Sequence, residues 1–214
     1  MNTLARWRAF WSVKTSGISR EEALGLFGEL WFLRRWLGNL NAATIRCWQA
    51  TESARHDFQW AQASVEVKTA ATQSAGPPVH RITSLEQLAD PEQGNLFLFS
   101  LQVCNDALAA NTLQNLANAI TADLRDDFVA LEEFNGKLAA RGYSLESQFA
   151  TMPLRILGER LYRVDATFPR IIRESFGTSG APQGVVGVSY ELDLSACDNW
   201  LLAKRPQDAG TILT

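Results

Sequence analysis

Histidine and cysteine are scarce in this chain, and their scarcity removes several chemistries at once. Only His56 and His80 occur in 214 residues, which leaves little for a histidine-built metal centre. The cysteines Cys47, Cys104 and Cys197 are odd in number, far apart and free of C-x-x-C spacing. That pattern argues against a disulfide framework or a zinc ribbon and suits free thiols buried in a reducing compartment. No apolar run approaches the ~18 residues that would span a bilayer, and the start, Met1-Asn2-Thr3-Leu4-Ala5-Arg6-Trp7-Arg8, lacks a secretory h-region. A cytoplasmic protein without membrane attachment is expected. G-x-S-x-G, G-x-x-x-x-G-K-S/T and G-x-G-x-x-G are all missing, so a nucleophile elbow is excluded and nucleotide-driven work would need a partner. The net charge of −3 argues against a generally basic nucleic-acid binder, though a local basic rim stays open.

What is present suits a folded chain. Hydrophobic residues make up 46% and charged residues 20%, as in ordinary globular proteins, and the length suffices for one substantial core. The whole chain, 1–214, reads as a single domain. Its clearest helix runs from Arg20 to Leu37: Ser19 can cap it, Glu21 and Glu22 sit in the first turn, and Leu26, Leu30, Leu33 and Leu37 form one face before Gly38. Glu29 flanks that face, and taken alone it is a solvated glutamate. Three short β-like segments follow, over residues 44–49, 56–60 and 65–69. Ser84-Leu85-Glu86-Gln87 matches a capping box and predicts a short helix. Residues 95–103 predict a buried strand, 113–124 and 128–138 two helices, and 153–164 and 184–194 two strands.

The chemically informative residues lie in the second and third β-like segments. Strand alternation puts Glu66 and Lys68 on one face, about 7 Å apart along the strand, with Val65 and Val67 on the other. If the preceding run pairs as a hairpin, Asp57 is brought alongside. Two carboxylates and a lysine at a sheet rim suit holding a hard divalent cation and activating a water beside a phosphate. The plainer account is an exposed Glu-Lys strand face.

Glu29 on a helix, then Asp57, then Glu66-Val67-Lys68, laid over helix-strand-strand-strand, resembles the PD-(D/E)XK nuclease superfamily. Within it, Gly25-Leu26-Phe27-Gly28-Glu29-Leu30, His56-Asp57-Phe58, Val65-Glu66-Val67-Lys68-Thr69 and Ile82-Thr83-Ser84-Leu85-Glu86-Gln87-Leu88 resemble the bacterial "PD-(D/E)XK motif protein" family found beside restriction-modification and phage-defence genes. The resemblance implies an α/β restriction-endonuclease-like core, with a mixed central sheet flanked by helices, over 1–104, and helices and C-terminal strands over 105–214 that complete or elaborate it. It implies Mg²⁺, with Mn²⁺ as substitute, held by Asp57, Glu66 and the Val67 backbone carbonyl, and Glu29 serving a second ion or a water-mediated contact. Lys68 would orient or deprotonate the attacking water. The implied reaction is hydrolysis of DNA phosphodiester bonds by the endonuclease component of a defence system. Helicase/ATPase or methyltransferase proteins are the implied partners, and a homodimer would supply two active sites for double-strand cutting. The competing reading keeps the fold and makes the chain a non-catalytic adaptor.

His56 stands where the motif's name has proline; it is read as a packing or hydrogen-bonded residue. His80, read as a loop residue, is left between a phosphate contact, a cap on the helix at Ser84 and solvent exposure. Thr69, Thr72 and Gln73 are candidates to line the site. The tryptophans suit base stacking or, more commonly, partly buried structure, and Trp7, Phe10 and Trp11 could instead form a docking surface.

Overall fold

The computed structural model describes residues 18–51, 54–73, 76–177 and 181–209; the suggested docking residues Trp7, Phe10 and Trp11 lie outside them. Helix α1, Arg20–Trp31, starts at a true capping box. The Ser19 hydroxyl accepts from the Glu22 N–H, and the Glu22 carboxylate accepts from the Ser19 N–H. The helix widens into π-helical turns over Phe32–Leu37 and stops at Gly38, whose φ of 68° suits glycine.

Residues 44–49 do not form the expected strand. The Asn41 side chain accepts from the Ala43 and Thr44 N–H groups and starts a helix, α2, Ala42–Cys47. At its other end the Lys137 ammonium donates to the carbonyls of Ile45, Arg46 and Trp48. Cap and cation together override the local strand propensity, and only Trp48 reaches the sheet, as a bridge to Phe58.

The strands are β1 (Phe58–Gln59), β2 (Ala63–Ala71), β3 (Val79–Ile82), β4 (Asn95–Asn105), β5 (Leu154–Val164), β6 (Tyr190–Asp193) and β7 (Leu201–Ala203). A five-stranded mixed sheet has the order β1-β2-β4-β5-β7, with β2 and β4 parallel and the other neighbours antiparallel. Strands β3 and β6 pair in a second, two-stranded sheet. Helices α3 (Leu113–Asp123) and α4 (Phe128–Ala140) match their expected spans. One face of the large sheet, with Val65, Val67, Phe97, Phe99 and Leu101, packs against α1, α3 and α4. The opposite face, with Leu96, Leu98 and Tyr162, packs against Ile82 and Leu192 of the small sheet. This mixed sheet, with helices on one face and the small sheet on the other, is consistent with the restriction-endonuclease-like core that the resemblance implies.

Two further expectations change. No helix starts at Ser84, because Gln87 folds back to accept from the N–H and hydroxyl of Thr83 and closes a bend instead. The strand expected from Gly184 shrinks to Tyr190–Asp193: all four residues of β3 are paired there, so Val185 and Val186 have no ladder to join and stay exposed. Among the described residues no helix is long and apolar enough to cross a membrane.

The contact that orients α1 is its approach to β2 at Gly28. A Cβ there would fall 1.9 Å from Thr69 Oγ1 and 3.2 Å from Val67 Cγ1. Gly28→Ala is therefore expected to cost about 1–3 kcal/mol in urea unfolding, and pairing it with Thr69→Ala to recover part of that loss. Additive losses in the double variant would contradict the contact.

Candidate functional site

Strand β1 is so short that it leaves β2 with an open edge. Its two residues pair with Val65 and Ser64, and from Glu66 onward no strand among the described residues covers that side. Asp57, just before β1, takes the place of the missing neighbour: its Oδ2 accepts the Val67 N–H at 2.7 Å. Glu66 and Lys68 share the face opposite the valines, as alternation requires, and Lys68 Nζ lies 2.8 Å from Glu66 Oε1. Glu66 is buried and Lys68 nearly so.

Glu29 follows Gly28, so the close helix-strand approach carries it to this edge. It is buried, 4% exposed, and is not the solvated flank residue its helix pattern suggests. Its Oε2 accepts the Trp48 indole N–H at 2.8 Å, and its Oε1 accepts from the Arg141 guanidinium at the end of α4. The four residues singled out in the sequence thus meet: Asp57 acts electrostatically on both glutamates, and Lys68 on all three carboxylates.

Their protonation shows how crowded this is. Burial, then the Asp57 charge, pushes Glu29 up to about 8, against the pull of Arg141, Trp48 and Lys68. Glu66 is likewise pushed up to about 8 by burial and Asp57, with Lys68 opposing and Glu29 adding to the rise. Burial also raises Asp57, tempered by the Val67 N–H, Lys68 and Arg141. Two buried glutamates and a half-buried aspartate facing two cations do not all ionise near neutral pH, and the glutamates favour their protonated forms. Further positive charge would release them. Hard carboxylate oxygens crowded beyond their compensation are a donor set that fits a divalent cation such as Mg²⁺. As the side chains stand, Lys68, Arg141, Trp48 and the Val67 N–H engage those oxygens, and among the described residues no three His, Cys, Asp or Glu side chains form a ready ligand cage.

Trp48 and Arg141 escaped the sequence reading. Arg141 lies 112 positions from Glu29, and nothing local marks it apart from its place before Gly142. His80 is neither a loop residue, a cap nor exposed. It lies on β3, buried, with Nε2 2.7 Å from Ser100 Oγ. Burial, helped by Lys68 and Arg160, pushes it down to about 3, so it is neutral. His56 is buried too, bonded to the Ala89 carbonyl at 3.1 Å, and burial pushes it down to about 4. Thr69 turns toward Gly28, on the sheet face opposite Lys68.

These shifts fix how stability depends on pH in the metal-free protein. A glutamate raised from 4.5 to about 8 by folding contributes stability that is full below its unfolded value and is lost as pH rises through about 8. The buried neutral histidines work the other way: their contribution is full above about 6.5 and is lost as pH falls toward about 4 and about 3. Urea unfolding with divalent ions chelated is expected to show wild-type stability falling between about pH 6.5 and 8, and falling less steeply in Glu66→Gln. Identical slopes would contradict a proton held at Glu66.

A family model described as "Putative PD-(D/E)XK family member, (DUF4420)" matches residues 1–195. No curated protein and no solved structure matches the chain. The match covers most of the chain and includes the helix, the open-edged strand and every side chain of the carboxylate cluster, and the chain belongs to this PD-(D/E)XK family.

Proposed function

We propose that this chain is a metal-dependent endodeoxyribonuclease, the cleaving component of a restriction or phage-defence system. The observation that carries the reading is the convergence of Glu29, Asp57 and Glu66 with Lys68 at the open edge of β2. The defence setting rests on the resemblance noted in the sequence. Asp57 and Glu66 are the side chains to hold the ion. The Val67 carbonyl joins them because a strand residue's N–H and C=O point to the same side, and its N–H is already on Asp57. When bound, Mg²⁺ or Mn²⁺ would supply charge stabilisation at the phosphate oxygens.

The chain's own groups do the rest. Lys68, freed from Glu66, has an ammonium that can donate to a phosphate oxygen and orient the attacking water. Glu29, held by Trp48 and Arg141, presents a fixed carboxylate for a second ion or a water. Burial on the sheet side limits solvent around these charges and strengthens each interaction.

A second reading has a specific observation in its favour: each carboxylate already has a partner within the chain. A closed cluster of this kind also suits a non-catalytic adaptor subunit of the same complex.

Purified protein, alone or with its neighbouring gene products, is expected to cut DNA with Mg²⁺ or Mn²⁺. Asp57→Ala and Lys68→Ala are each expected to slow cutting at least ~100-fold while the fold is retained. Defence in cells that survives Asp57→Ala unchanged would favour the adaptor.

A further inference from the structure

A half-buried arginine lies two strands from Lys68, in a seat shaped for it. Register sets Lys68 of β2, Ser100 of β4 and Arg160 of β5 side by side on one face of the large sheet. One step further along, Gln102 of β4 stands opposite Gly158 of β5. The Arg160 side chain folds back over Gly158: a Cβ at that glycine would lie 2.8 Å from Arg160 Nη1 and 3.4 Å from Gln102 Oε1. Nη1 donates to Gln102 Oε1 at 3.3 Å, and Gln102 is itself buried, 2% exposed. Glycine at 158 thus leaves the space the guanidinium occupies, and the buried amide holds one edge of it.

The charge of this group is not spent on a carboxylate. Arg34, Arg35, Arg46, Arg125, Arg141, Arg155, Arg170 and Arg173 pair with acidic side chains, and among the described residues Arg160 does not. The titratable neighbour between it and Lys68 is His80, which burial keeps neutral. The face therefore carries two cations, Lys68 and Arg160, about 10 Å apart across two inter-strand spacings. A planar guanidinium held on one side by an amide still offers donors for bidentate contact with a phosphate.

We propose that Arg160, seated by Gly158 and Gln102, binds a phosphodiester group of the DNA strand next to the one facing Lys68. This rests on the nuclease reading and puts the two phosphate contacts on either side of the buried His80–Ser100 pair. Arg160 touches substrate here and takes no part in the proton transfers.

The test measures binding of the full chain to a fluorescein-labelled duplex and to its single strand by anisotropy across a salt series, with divalent ions chelated. Arg160→Ala is expected to weaken binding about tenfold and to lower the salt slope by about 0.9 on duplex or about 0.7 on single strand, the loss of one phosphate contact. Arg160→Lys should keep the slope and lose part of the affinity, since an ammonium cannot bind bidentately. Gly158→Ala, which retains every charge, should weaken binding by displacing the guanidinium. Affinity and slope unchanged in Arg160→Ala, with only the unfolding temperature lowered, would overturn the proposal, and would leave the nuclease reading intact if wild type cuts with Mg²⁺. Wild type that binds neither oligonucleotide, and that cuts neither with Mg²⁺ or Mn²⁺ even beside its neighbouring gene products, would overturn both.

Discussion

Two buried glutamates with a half-buried aspartate beside them are an electrostatic problem, and the rest of the site is arranged around it. Each receives help from a different part of the chain: Glu66 from Lys68 on its own strand, Asp57 from the Val67 backbone, Glu29 from Trp48 after α2 and Arg141 after α4. Breaking such a buried pair by removing one partner commonly costs about 3–5 kcal/mol, because the remaining charge is left uncompensated. The cluster therefore ties helix, sheet edge and the distant Arg141 into one unit. Even so, both glutamates sit near 8, so the internal cations do not fully neutralise it. On the proposed nuclease reading, a bound divalent cation would meet that residual demand for positive charge.

The open edge of β2 is the second constraint. Trp60 N–H bonds the Ala63 carbonyl across a tight connection, and β1 ends after Gln59. An uncovered strand edge usually invites pairing with another chain. Here Asp57 covers it with a side chain instead of a strand, which leaves the backbone of Val67 beside two acidic groups. The Gly28 approach completes the corner by placing Glu29 on the far side.

How much of this was legible in the sequence depends on how local each cause is. The period-two alternation of Val65, Glu66, Val67 and Lys68 set their faces correctly, and Ser19 with Glu22 marked the start of α1. Both are decided within a few residues. Nothing within 44–49 marks its helix, which depends on Lys137, some ninety positions away, as well as on Asn41. His80 looked like a loop residue after Gly76-Pro77-Pro78, and its strand exists only because Tyr190–Asp193 pairs with it. Glu29 looked solvated because helix periodicity cannot see Trp48 and Arg141 closing over it. The seat of Arg160 over Gly158 likewise needs the register between β4 and β5, which no local pattern carries.

The central claim is that the Asp57–Glu66 corner holds a divalent ion. Anomalous diffraction from crystals soaked in Mn²⁺ tests it most directly. The account predicts a peak with oxygens of Asp57, Glu66 and the Val67 carbonyl at about 2.1 Å, and Lys68 released from Glu66. A density map with no ion at this corner and the Lys68–Glu66 pair still closed would contradict it.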